Sequence, residues 1–174
     1  MSKRDLKKYL KELSKDQLED QLSELYDKFK DVKVYYDFAF NPNEDKLVGE
    51  AKVKIANEYF PAKGKRAKMR RSVAQKYIKH FLTLGVDVTM VADLMLFTIE
   101  TAQSFSSKRH VKYDSFFKSI FTAYHQAVNF MIENGILNEF LDRVVEIKEE
   151  SNRQNWMNKY DFNVFIEKVD DNFL

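Results

Sequence analysis

The sequence predicts an all-α protein of eight or nine helices, stacked as antiparallel hairpins into a bundle or a short α-α array. Three observations predict it. Only four glycines and two prolines occur in 174 residues, too few for a sheet protein with many tight turns. Apolar residues recur at i, i+3, i+4 and i+7 through segment after segment. The stretches between them are short, so consecutive helices should lie antiparallel. The length suits one domain over residues 1–174, and 25 aromatic residues (15 Phe, 9 Tyr, one Trp) can fill its core. With no cysteine, a disulfide framework and a thiolate metal site are both excluded.

Leu6, Tyr9, Leu10 and Leu13 form the stripe of a first short amphipathic helix. Ser14 opens the second, with Gln17 placed to complete a capping box and Leu18, Leu22, Leu25 and Phe29 as its seam. Asp31 is the expected cap of a third helix, which Asn41-Pro42 stops, because the residue before proline avoids helical angles. From Asn43 a fourth helix carries Val48, Ala51, Ile55 and Tyr59 on one face, and Pro61 ends it. Gly64 marks a loop. A basic helix is expected from about Arg66 to Leu84, with Val73, Ala74, Tyr77, Phe81 and Leu84 inward and Gly85 as the left-handed cap. Asp87 caps an almost wholly apolar helix to about Ser104, which should run through the middle of the fold. A loop is read over Phe105 to Lys112. Phe116, Phe117, Ile120, Tyr124, Val128 and Met131 then define the next helix, ending near Gly135. Leu137, Phe140, Leu141, Val144 and Val145 define another. Trp156, Tyr160, Phe165 and Val169 are the expected anchors of a C-terminal pair of shorter helices.

Charge is polarised. Between Tyr59 and Val86 there is no acidic residue but eight cations: Lys63, Lys65, Arg66, Lys68, Arg70, Arg71, Lys76 and Lys79. The whole chain has 29 basic and 27 acidic residues, which leaves 21 against 27 elsewhere. Lys108, Arg109 and His110, with Lys112, make a second basic cluster. Cations crowded at a helix N-terminus oppose the macrodipole unless an anion answers them. A phosphate or an acidic protein surface would supply that anion. The candidate partner- or phosphate-binding residues are therefore Lys63, Lys65, Arg66, Lys68, Arg71, Lys76, Lys79, Lys108 and Arg109. Two plainer explanations compete: a solvated charged face, or neutralisation by residues 133–174, which hold ten acidic and five basic residues.

Other constellations carry less. Asp93 and Glu100 share a face, and Arg70 is expected to turn inward to pair with them. The same two carboxylates could serve acid–base chemistry, though no nucleophile or oriented histidine accompanies them. His125, Asn129 and Glu133 line one helix face but lack a metal-binding pattern, so no metal is expected. No phosphate-binding glycine loop or nucleophile elbow occurs, so no cofactor is read. The aromatic stripes are read as core rather than base-stacking platforms, and Trp156 as a core anchor rather than a contact for a partner. A charged N-terminus and the lack of a long apolar run lead to the expectation of a cytoplasmic protein with no membrane segment. Tyr35, Phe38 and Phe173-Leu174 could be surplus to one core, and the oligomeric state is left open.

Leu13-Ser14-Lys15-Asp16-Gln17-Leu18, Phe40-Asn41-Pro42, the basic helix, and Arg153-x-x-Trp156-x-x-x-Tyr160-Asp161 together resemble a small family of uncharacterised bacterial proteins, a domain of unknown function. The resemblance covers most of the chain and implies a bacterial, cytoplasmic helical domain, with no activity to carry over. The leading expectation is a non-enzymatic helical interaction module whose basic surface meets an acidic protein partner. Nucleic-acid binding by the same residues is the alternative, and a small enzyme or ligand binder around Asp93 and Glu100 the second alternative.

Overall fold

The structure is a computed structural model and describes residues 2–62 and 65–173, with side chains described through residue 169. Among the described residues the protein is helical without strands: α1 (Lys3–Glu12), α2 (Lys15–Lys28), α3 (Lys30–Phe40), α4 (Glu44–Tyr59), α5 (Arg71–Leu84), α6 (Val88–Lys108), α7 (Asp114–Glu133), α8 (Leu137–Arg153) and α9 (Lys159–Phe173). Contacts divide the chain into two compact units, Met1–Asn43 and Glu44–Leu174.

In the first unit the expected capping box is present. The Ser14 hydroxyl accepts from the Gln17 N–H at 3.2 Å, and Gln17 Oε1 accepts from the Ser14 N–H at 2.9 Å. A second box, Ser2 with Asp5, starts α1. The third helix begins one residue before Asp31, with Phe29 at its cap position and no side-chain cap bond. Tyr26 Oη donates to Asp37 at 2.7 Å and holds α2 beside α3.

The second unit is organised by α6, which packs against α4, α5, α7 and α8. Val91, Leu94, Leu96, Ile99 and Ala102 are fully buried along it. Its hydroxyls are satisfied within the helix: Thr98 donates to the Leu94 carbonyl at 2.8 Å and Thr101 to that of Phe97 at 2.7 Å. Asp87 caps α6 through the Thr89 N–H at 2.8 Å, as the sequence predicts, but the helix runs one turn further, to Lys108. Gly85 closes α5 at φ +79°, a backbone angle that a side chain resists. Gly135 at φ +69° lets Ile136 N–H reach back to the Met131 carbonyl at 2.9 Å, ending α7 with a Schellman-type bond.

Two expectations fail at the C-terminal end. The pair of shorter helices is one helix, α9, and Tyr160 lies on its outer face, 71% exposed. Phe162 takes the buried position instead, with its ring 4.9 Å from Tyr124, 5.1 Å from Phe121 and 5.9 Å from Trp156. Trp156 is the expected core anchor: it is buried against Phe116 and Phe117, and its indole N–H donates to Gln154 Oε1 at 3.0 Å.

Candidate functional site

The basic stretch is not a helix from Arg66. Residues 65–70 have no regular secondary structure, and α5 begins only at Arg71. Arg66-Ala67-Lys68-Met69-Arg70 alternates polar and apolar residues, and the structure uses that period of two. Ala67 and Met69 turn inward onto the core, while Arg66, Lys68 and Arg70 face out. Glu58, near the end of α4, pins the segment. Its carbonyl accepts the N–H groups of Lys68 (2.9 Å) and Met69 (3.0 Å), with Met69 at φ +52°. Its carboxylate receives both arms of Arg70 at 2.8 Å. The Arg70 hydrogen bonds hold the Glu58 carboxyl below its usual range despite partial burial.

Arg70 therefore does not turn inward to Asp93 and Glu100. Those carboxylates are joined by Arg143 of α8, which donates to Asp93 at 2.8 Å and to Glu100 at 2.9 and 3.0 Å, while Lys52 of α4 meets Asp93 at 2.6 Å. The inference of an arginine bridging the pair is right in kind, and the arginine is a different one. Arg71, one of the candidate binding residues, is half-buried and donates to the Ser119 carbonyl at 2.9 Å. That bond ties α5 to α7, and burial lowers the Arg71 pKa from its ordinary value.

The pinned segment makes one wall of a cleft of about 350 Å³. Tyr59, Phe60, Phe105, Ala67 and Met69 give it an apolar floor, and Lys65, Arg66 and Arg109 stand around it. Lys108 lies with its ammonium 5.5 Å from the Phe60 ring centroid, itself packed 5.8 Å from Phe105. The two basic clusters are thus brought together, with no carboxylate in the lining among the described residues. Lys68, Lys76 and Lys79 are exposed but outside that lining, and Lys63 lies outside the described residues.

Among the described residues, Lys65, Arg66, Lys68, Lys76, Lys79, Lys108 and Arg109 make no ion pair. The acidic C-terminal helices answer their own cations instead: Glu146 and Glu150 meet Arg153, and Glu149 meets Lys148. Also among the described residues, no group of three or more histidine or acidic side chains could hold a metal, and no helix is long and apolar enough to cross a membrane. His125 pairs with Asn129 at 3.1 Å and lies 4.5 Å from the Phe165 ring.

Sequence reasoning missed Tyr59 and Phe60 as site residues, although both stand at the acid-free boundary of the basic stretch. Tyr59 is 2% exposed and its hydroxyl has no hydrogen-bond partner among the described residues. Burial pushes its pKa up to about 12. The protonated phenol therefore adds stability that is intact below the ordinary tyrosine value near 10 and is lost as pH rises through about 12. Tyr59→Phe should remove that alkaline loss and raise stability at neutral pH by about 1 kcal/mol, because an unsatisfied buried hydroxyl disappears. Urea unfolding at neutral and alkaline pH, with tyrosinate absorbance, measures both effects; a loss of stability at neutral pH would show that the hydroxyl is satisfied in solution.

Fold and cleft together define an all-helical protein with a cationic cleft floored by aromatic rings. The chain belongs to DUF6155, a family of unknown function, whose model matches residues 1–170. No curated protein and no solved structure matches it.

Proposed function

We propose that the protein is a non-enzymatic interaction module that binds an acidic protein segment at this cleft, in the bacterial cytoplasm that its sequence resemblance implies. The observation that carries the reading is the meeting of Lys65, Arg66 and Arg109, uncompensated, around an apolar floor. A concave site of about 350 Å³ suits one large apolar side chain, with flanking Asp and Glu residues reaching the rim. Lys68, Lys76, Lys79 and Lys108 extend the positive field and would steer such a segment inward. Arg143 and Lys52 bond to the oxygens of Asp93 and Glu100, which favours a structural role for that pair.

One observation favours a second reading: Phe60 is 40% exposed beside Lys108, and an exposed ring in a basic field is how single-stranded nucleic acids are held. Fluorescence anisotropy with two labelled probes separates the readings. One is an Asp/Glu-rich peptide with a central leucine, and the other a mixed-sequence single-stranded RNA. The peptide should bind the wild-type chain. Lys65→Glu, Arg66→Glu and Arg109→Glu together should weaken it at least tenfold, about 1.4 kcal/mol, with helicity unchanged. Replacing the central leucine by serine should weaken it too. No peptide binding, or binding indifferent to the three reversals, rejects the proposal; tight RNA binding without peptide binding transfers the site to the second reading.

A further inference from the structure

The N-terminal unit raises a separate question, because its three helices bury no residue. A segment of this size, Met1–Asn43, lies at the limit (about 40 residues) below which a chain seldom sustains a core without a metal, disulfides or a partner. Yet its apolar residues are ordered. Leu18, Leu22, Leu25 and Phe29 follow the four-three-four spacing of a coiled-coil seam, and Leu6, Leu10 and Leu13 begin the same pattern on α1. Leu6, Leu22, Leu25 and Phe29 are between 42% and 54% exposed. Apolar seams of this spacing are covered in stable helical assemblies.

Charge identifies the cover. Helix α1 carries five cations, Lys3, Arg4, Lys7, Lys8 and Lys11, against the two carboxylates Asp5 and Glu12. Helix α2 inverts this, with Lys15 and Lys28 against five carboxylates. Among the described residues none of the five α1 cations forms an ion pair. On α2, Glu19 and Glu24 pair only with Lys15 and Lys28 of the same helix, and Asp16, Asp20 and Asp27 form none. Tyr9 of α1 accepts a hydrogen bond from Gln21 of α2 at 2.6 Å, which joins the basic helix to the acidic one within the unit. A surface with one basic half, one acidic half and an apolar seam is self-complementary under a two-fold rotation. A partner of uniform charge would be repelled by one of the halves.

We propose that α1 and α2 are a homodimerisation surface, with the basic α1 of each copy facing the acidic α2 of a second copy across the leucine seam. This surface is independent of the cationic cleft. Sedimentation velocity on the full chain tests it, using the wild type and two charge-reversed chains. One reversed chain carries Lys7→Glu, Lys8→Glu and Lys11→Glu; the other carries Asp16→Lys, Glu19→Lys and Asp20→Lys. The wild type should sediment as a dimer at tens of micromolar. Each reversed chain alone has like charges on both helices and should sediment as a monomer, with its helicity retained by circular dichroism. Mixed in equal amounts, the two reversed chains present a net-acidic surface to a net-basic one, and the dimer should return. A monomeric wild type, reversed chains that dimerise as the wild type does, or a mixture that stays monomeric would each overturn the proposal. Recovery in the mixture also covers misfolding, since a misfolded variant could not restore the dimer.

Discussion

Phe162→Ala should destabilise the second unit by about 4 kcal/mol, the value for deleting a fully buried aromatic side chain. The ring is completely buried and meets Phe121, Tyr124 and Trp156. Two of those neighbours are held from another direction. Tyr124 donates to the Val144 carbonyl of α8 at 2.9 Å, and Trp156 is fixed through Gln154, whose side-chain amide donates to the Gln103 carbonyl of α6 at 3.0 Å. Surroundings so constrained cannot close over the lost volume, which is what makes the cavity costly. Urea unfolding should show the lower midpoint with little change in slope, and thermal unfolding a fall of about 10 °C. Tyr160→Ala, two residues away but on the exposed face, should stay within about 0.5 kcal/mol. Equal losses for the two variants would mean that α9 packs through the face bearing Tyr160.

That pair of variants also shows where the sequence was legible. Helices such as α7 have one strongly apolar face, so their period of 3.6 gives type, extent and inward residues together. In α9 the aromatic residues Tyr160, Phe162 and Phe165 lie on more than one face, and a tyrosine can sit at the surface through its hydroxyl as readily as inside. The rings of Phe121, Tyr124 and Trp156, assembled by tertiary packing, receive Phe162. The C-terminal turn of α6 escaped for a different reason: Ser106, Ser107 and Lys108 are polar and look like loop residues. Their hydroxyls are satisfied within the structure, Ser106 by the Gln103 carbonyl and Gln154 and Ser107 by the Ser104 carbonyl, and the lysine suits a helix C-terminus.

The site was half legible. The basic stretch could be counted, and the second cluster at Lys108 and Arg109 could be seen; what joined them could not. Lysine, arginine, alanine and methionine are good helix formers, and their propensity masked the alternation of residues 66–70. Tertiary contacts overrode it: Ala67 and Met69 gain burial as alternate residues of an irregular segment, and Glu58 captures the backbone and Arg70 at once. Glu58 is the last acid before the basic stretch, so the anchoring residue was in view while its partner was assigned elsewhere.

Arg143→Met should cost about 2 kcal/mol at neutral pH. Methionine keeps much of the volume, so the loss falls on Asp93 and Glu100. Arg143 is 34% exposed, and its partners 31% and 38%, which places the cluster between an exposed pair worth under about 1 kcal/mol and a buried one worth about 3–5. Burial alone would raise the Asp93 pKa, but the hydrogen bonds from Lys52 and Arg143 together outweigh it and hold the carboxyl below its usual value. A carboxyl lowered in this way contributes stability above the unfolded value, near 4, and loses it as pH falls through the lower folded value. The gap between wild type and Arg143→Met should therefore be widest near neutrality and narrow in acid, where a protonated Asp93 no longer needs a cation. Glu100→Gln added to Arg143→Met should recover part of the loss at neutral pH, because the carboxylate that pairs with Arg143 alone among the described residues is gone while Asp93 keeps Lys52. Urea titrations of the three chains across that pH range measure it, and a gap that is constant with pH would show that Arg143 stabilises through packing on Phe140 rather than through the two acids.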